Sequence, residues 1–193
     1  MTASPAPGPL RRSAGDRRAQ LVQIGLELLP TTPVQELTID EVARRAGISR
    51  SLLFHYFATK REYYTAVTRA AADLMLEHLL PAADVPREEQ VTGMLDRYVG
   101  WVETFRETHL AFVRGAAGGD PWVAEVYQDT RDRLVGVALQ ALGLDDDALC
   151  RQLVLAWFAF TEDLVGSWAQ EPTMPRPELL GLLRDVLDRL VRR

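Results

Sequence analysis

The sequence predicts an all-α protein in two parts: a three-helix N-terminal domain carrying a helix-turn-helix, and a larger helical domain behind it. Three observations carry this. Apolar residues recur at helical spacing through most of the chain, no run of alternating β-branched residues argues for a sheet, and Gly and Pro gather at the start and in a few short breaks. At 193 residues with 47% hydrophobic and 25% charged content, the chain can fill one substantial core or two small ones.

Residues 1–13 contain Pro5, Pro7 and Pro9 with almost no apolar content, and read as a disordered arm. Arg11 and Arg12, with Arg17 and Arg18 just beyond, set four guanidinium groups around the start of the first helix. They fit an arm that reaches phosphate or the minor groove, and equally a solvated charged terminus. The first helix, from about Asp16 to Leu29, carries Leu21, Ile24 and Leu28 on one face and ends at Pro30 and Pro33.

The stretch from Thr38 to Tyr63 organises the rest. Thr38 followed by Glu41 predicts a reciprocal capping box, and Ile39, Val42, Ala43 and Ala46 then form one apolar face with Arg44 and Arg45 off it. Gly47 ends that helix in the left-handed conformation, with Ile48 as a buried apolar contact and Ser49 as the next N-cap. The following short helix turns Leu53, Phe54 and Phe57 inward and leaves Arg50, Ser51 and His55 outside. Thr59 with Glu62 starts a third helix at once. Two short helices joined by a glycine turn are a helix-turn-helix, whose second helix enters the major groove and brings its first residues, here Arg50 and Ser51, to base edges.

The run Thr38, Val42, Ala43, Ala46, Gly47, Ile48, Ser49, Leu53, Phe54, Tyr56, Phe57, Thr59, Lys60 resembles the DNA-binding signature of the tetracycline-repressor family of bacterial regulators. The resemblance covers the first third of the chain; beyond it only the helical layout is similar. Three positions depart from the pattern: Ser51 where a smaller residue is usual, Phe54 for Tyr, and Arg61 where an acidic residue is common. Phe54 lacks the hydroxyl that could reach a phosphate and is read as core, whereas Arg61 adds positive charge. The resemblance implies that Thr38, Lys60 and Tyr56 contact phosphate, with Arg50, Ser51 and His55 as the base-reading candidates. It also implies a homodimer on double-stranded DNA with a palindromic operator, a small-molecule effector and a repressor's role.

Charge is consistent with a nucleic-acid-binding head. Residues 1–70 hold ten Lys or Arg against six Asp or Glu, a net of +4, while the remainder carries −9, for −5 overall. The domains are set at 14–63 for the helix-turn-helix part and 64–193 for the regulatory and dimerisation part. A helix over residues 60–80 bridges them; its rise of about 30 Å lets one end touch DNA while the other sits in the second domain.

Past the break at Pro81 to Pro86, Val91, Met94, Leu95, Tyr98, Val102 and Phe105 predict a helix over 87–108, and a shorter one follows from Leu110 to Ala117. Gly118 and Gly119 break the chain, and Asp120 with Pro121 reads as N-cap and first residue of a long helix ending near Leu142. The run Asp145, Asp146, Asp147 reads as a helix cap in preference to a cation site. On the helix over 148–169, Leu153, Trp157, Phe160, Leu164 and Trp168 form one stripe, extended by Leu155 and Phe158. The helix over 177–191 carries Leu179, Leu183, Val186 and Leu190 beside Leu180, Leu187 and Val191. These two helices supply more apolar surface than one chain's core needs, and are the expected homodimer interface as a four-helix bundle, as in the resembled family.

The effector-binding candidates are Trp101, Phe105, Phe112, Trp122, Tyr127 and Phe158, an aromatic set that fits a mostly apolar ligand and would serve equally as plain core. Arg97, His109, Arg114 and Glu162 could orient such a ligand. No cofactor, metal site or catalytic motif is expected: HExxH, paired cysteines, a phosphate-cradling loop and a nucleophile elbow are all missing, and His55, His78 and His109 lie far apart. The single Cys150 points to a reducing compartment, and with no signal peptide or apolar span in view the expectation is cytoplasmic and not membrane-bound. The alternative is a helical adaptor for a protein partner, or a ligand-binding protein without sequence-specific DNA binding.

Overall fold

The computed structural model describes residues 14–32, 34–81, 85–118 and 121–192, without the side chains of 35, 87, 88, 117 and 118. The expected arm at 1–13, with Arg11 and Arg12, lies outside them, as do Pro33, Gly119 and the Asp120 cap. Nine α-helices are formed among the described residues, with no strand: α1 Ala14–Leu28, α2 Ile39–Ala46, α3 Arg50–Tyr56, α4 Lys60–Leu79, α5 Arg87–Thr104, α6 Arg106–Gly118, α7 Pro121–Leu142, α8 Ala148–Gln170 and α9 Arg176–Val191. A single 3-10 turn at Val34–Glu36 precedes α2. The chain divides into two compact units, through Val67 and from Thr68 onward, so α4 contributes to each.

The first unit closes around Leu21, Val42, Leu53, Phe57, Tyr63 and Val67, all essentially inaccessible. Tyr63, Tyr64 and Val67 belong to this core, which carries the compact unit past residue 63. The Tyr63 hydroxyl donates to the Leu21 carbonyl at 2.9 Å, and the Tyr64 hydroxyl donates to that of Leu37, so the two phenols tie α4 to α1 and to the entry of α2. Burial pushes the Tyr63 phenol well above its ordinary range, which keeps it a neutral donor. Gly25 permits this approach, because a Cβ there would lie 2.5 Å from a Val67 methyl and 2.7 Å from the Tyr63 oxygen.

Capping explains the short helices. Thr38 accepts from the Glu41 N–H at 3.2 Å, but the expected reciprocal bond is not formed. The Glu41 carboxylate is instead held by Arg44 and Arg45 at 2.7 and 2.8 Å, which lowers its pKa to about 2. Gly47 adopts φ 65°, and its N–H and that of Ile48 donate to Arg44 and Ala43 in a Schellman termination. Ser49 caps α3 through the Leu52 N–H. Thr59 accepts from the Glu62 N–H, while Glu62 reaches one residue further back, to Ala58.

In the second unit, α5, α7, α8 and α9 enclose a core of Val91, Leu95, Val99, Val102, Ala141, Trp157, Val165, Trp168, Leu179, Leu183 and Leu187. The indoles of Trp157 and Trp168 donate to the carbonyls of Leu183 and Met174 at 2.9 and 2.8 Å, so both large rings are buried with their N–H groups satisfied. Asp147 caps α8 through the Cys150 N–H, and Asp146 pairs with Arg151, so two of the three acidic residues serve the helix start.

Two expectations for this unit are corrected. The helix over 87–108 breaks at Phe105, which leaves helical geometry at φ −118°, ψ 32°, and α6 begins at the next residue. After this bend His109 is buried against the Tyr98 hydroxyl, at 3.0 Å. No glycine or proline marks the bend. The stripe on α8 is also split: Trp157 and Trp168 are buried with Cys150, Val154, Thr161 and Val165, while Phe160 stays 39% exposed and Leu153 and Leu164 are half-buried. The buried face of α8 is centred near Thr161, rotated from the middle of the stripe, so the edge formed by Leu153, Phe160 and Leu164 is left partly open.

Candidate nucleic-acid interface and ligand cavity

The outward face of α3 follows from its buried one. Leu53 is fully inaccessible and fixes the helix against the core, which turns Ser51, Leu52 and His55 to the opposite side, all exposed. Arg50 is exposed beside them, 3.3 Å from Asp40 of α2, with its guanidinium 5.7 Å from the Phe54 ring. Phe54 is therefore only half-buried, contrary to its reading as core: α3 is a two-turn helix whose inner face is taken by Leu53. Its ring supports Arg50. Ser51 is held by Ser49 through a 2.9 Å hydroxyl contact, and Tyr56 is half-buried with its ring edge-on to His55 at 5.4 Å.

Thr38 and Lys60 are exposed at the starts of α2 and α4, with the Lys60 ammonium 4.9 Å from the Tyr64 ring. Arg61 is exposed beside Lys60. Arg18 lies 4.5 Å over the Phe57 ring and pairs with Glu62 at 3.3 Å. Arg17 bonds Gln20 at 2.8 Å.

A cavity of about 50 Å³ lies within the second unit, lined by Leu79, Val91, Met94, Leu95, Leu134, Ala138, Trp157 and Phe158 with Tyr98, Arg131, Thr161 and Glu162. That volume holds on the order of four waters. Of the six aromatic candidates, Phe158 stands in this wall. Trp101 and Phe105 pack on each other at 4.5 Å, Phe112 meets Tyr127 edge-on at 5.8 Å, and Trp122 is buried; none of these five lines this cavity. Tyr127 touches the site indirectly, donating to Glu162 at 2.5 Å.

The polar residues suggested by the sequence also separate. Glu162 lines the cavity, and burial raises its carboxyl pKa against the opposing pull of the Tyr127 bond and Arg131. His109 sits behind Tyr98, where burial lowers the imidazole to about 4 and keeps it neutral. Arg97 donates to the last carbonyl of α4, Leu79, at 3.0 Å, and Arg114 is exposed. Arg131, Tyr98 and Thr161 escaped sequence reasoning. A single arginine or threonine within a long helix gives no signal until neighbouring helices surround it. No cluster of His, Cys, Asp and Glu able to hold a metal occurs among the described residues, and none of their helices is long and apolar enough to cross a membrane.

A glycine-turned helix pair with a polar outward face, joined to an all-helical unit enclosing an apolar cavity, defines a helix-turn-helix protein with a second, ligand-sized helical unit. The description "Bacterial regulatory proteins, tetR family" matches residues 22–67, and "Tetracyclin repressor-like, C-terminal domain" matches residues 86–188. The chain belongs to the tetR family of bacterial regulatory proteins. Among relatives, the HTH-type transcriptional regulator BetI of Cronobacter sakazakii is 27% identical over 130 residues, 65% of this chain and 61% of that protein. The chain thus spans about three fifths of the curated relative's length. A tetR-family transcriptional regulator from Streptomyces coelicolor is 26% identical with a TM-score of 0.78, covering 93% of this chain and 82% of that one. The regulator FadR from Bacillus subtilis, solved in complex with stearoyl-CoA, shares the fold at a TM-score of 0.59 and 14% identity, over 90% of this chain and 97% of that one.

Proposed function

We propose that this protein is a cytoplasmic, homodimeric transcriptional repressor that binds a palindromic operator through α3 and is released by a small, mostly apolar effector bound in the second unit. The observation that carries the reading is the outward face of α3. Arg50, Ser51 and His55 stand exposed there, in a unit whose inward residues are otherwise committed to core. A guanidinium on that face can bond guanine bidentately, worth about 1–3 kcal/mol of discrimination. Thr38, Lys60 and Tyr56 are the phosphate contacts in this reading. They supply sequence-independent affinity and set the register.

Dimerisation rests on apolar residues left open at the end of the chain. Leu149 and Phe160 on α8 are 50% and 39% exposed, and Leu182 and Leu190 on α9 are 40% and 38% exposed. A second copy covering these residues would bring two α3 helices to the half-sites of one operator. The effector reading is supported by the cavity, whose wall includes Leu79 at the end of α4. A ligand that enlarges the cavity displaces that wall, and α4 continues into the first unit as Lys60–Val67. Release then follows from the ligand's preference for the enlarged conformation, and from that preference alone.

The test is a fluorescence-anisotropy titration of the protein on the duplex flanking its own gene, with a shuffled duplex as control, at two salt concentrations. Preferential binding that weakens steeply with salt supports the reading. Equal, weak binding on both duplexes contradicts sequence recognition there, and salt-insensitive association favours a partner-binding adaptor.

A further inference from the structure

The polar groups among the cavity's lining residues are Tyr98 of α5, Arg131 of α7, and Thr161 and Glu162 of α8. Thr161 is 3% exposed and its hydroxyl has no hydrogen-bond partner among the described residues. The Arg131 Nε–H is likewise buried and unpartnered, although one of its terminal nitrogens donates to the Leu155 carbonyl at 2.7 Å. No carboxylate of the described residues lies within ion-pair distance of this guanidinium. Glu162, on the same wall, already receives the Tyr127 hydroxyl at 2.5 Å. Tyr98 is occupied by His109.

The unmet demand among these groups is therefore for an acceptor. Arg131 Nε–H can only donate, and the Thr161 hydroxyl is free to do so. A guanidinium N–H and a hydroxyl buried without partners are costly, and an anionic oxygen placed here would satisfy both orphan donors. A cationic or purely apolar guest would leave both donors unmet.

We infer that the effector of this protein is a monocarboxylate with an apolar body, its carboxylate accepting hydrogen bonds from Arg131 Nε and the Thr161 hydroxyl and its body lying among Leu79, Met94, Leu95, Leu134, Trp157 and Phe158. The assignment rests on the reading of the second unit as the effector-binding part. The flexible thioether of Met94 lets the small cavity enlarge around a guest.

The experiment is calorimetric titration of the full chain with octanoate, 1-octanol and octylamine, which share a body and differ in the head. Octanoate binds at least tenfold more tightly than either analogue. Arg131→Gln lowers octanoate affinity tenfold or more while leaving octanol within about twofold. Thr161→Val, close to isosteric, lowers octanoate affinity severalfold and guards against a misfolded Arg131 variant, with helicity checked by circular dichroism. Octylamine or octanol binding as tightly as octanoate overturns the assignment, as does no octanoate binding, or wild-type octanoate affinity in both variants. The operator titration separates the two readings. Octanoate selectivity without operator preference would sink the regulator alone, and operator preference without octanoate selectivity would sink the effector class alone.

Discussion

Gly25 is where the first unit is most sensitive to a single added carbon. Its Cβ would stand 2.5 Å and 3.1 Å from the two Val67 methyls and 2.7 Å from the Tyr63 oxygen. None of these can yield cheaply. Valine is stiff at χ1, Val67 is fully buried, and the Tyr63 ring is fixed by its bond to the Leu21 carbonyl. Gly25→Ala must push α1 from α4, and with contacts this short the overpacking cost falls in the upper part of the usual range, about 2–3 kcal/mol, partly offset by about 1 kcal/mol of better helix propensity. All four tryptophans, at 101, 122, 157 and 168, lie in the second unit, so their fluorescence cannot report this loss. Amide hydrogen exchange can. Protection in α1 and the first turns of α4 should fall by roughly 5- to 30-fold, with α8 and α9 unchanged. Val67→Ala removes both methyl clashes, so the double variant should lose less than the sum of the single losses by roughly 0.5 kcal/mol or more. Wild-type exchange in Gly25→Ala, or strictly additive losses, would refute the close-approach argument.

Three further outcomes follow from particular side chains. Leu52 is 38% exposed on the outward face of α3, beside Ser51 and His55, where an apolar side chain suits a thymine methyl. Replacing operator thymines by deoxyuridine one at a time should cost wild type about threefold at one position per half-site, and Leu52→Ala should abolish that sensitivity. Phe160→Glu and Leu182→Glu should each shift the protein toward monomer in sedimentation analysis without loss of helicity; an unchanged dimer would move the interface elsewhere. His109, held near 4 by burial, is lowered from its unfolded value near 6.5, so neutral His109 favours the folded state above that pH. This contribution, of order 3 kcal/mol, is lost as pH falls from about 6.5 toward 4. His109→Gln should flatten the stability profile in that window, and an unaltered profile would contradict a neutral buried imidazole.

The head was legible because its signals are local. Thr38, Gly47, Ser49 and Thr59 each act on backbone groups within a few residues, and every one of those starts or stops occurs in the structure. What failed there failed through competition: Glu41 had nearer partners in Arg44 and Arg45 than the Thr38 N–H. The cavity could not be read this way. Its polar groups join Tyr98 of α5 and Arg131 of α7 to Thr161 and Glu162 of α8, and its apolar wall draws on α4, α5, α7 and α8. Of the aromatic residues that stood out in the sequence as ligand contacts, Phe158 lines this cavity, while Trp101 and Phe105 pack on each other away from it. The bend at Phe105 was equally invisible, since no glycine or proline marks it.

The central claim is that α3 reads sequence through Arg50 while Lys60 holds the backbone. The most direct measurement compares wild type, Arg50→Ala and Lys60→Ala on the operator and on a shuffled duplex at one salt concentration. Arg50→Ala should lose roughly 5- to 150-fold on the operator and little on the shuffled duplex, and Lys60→Ala should lose a similar factor on both. Equal losses on the two duplexes for Arg50→Ala would contradict base readout by α3.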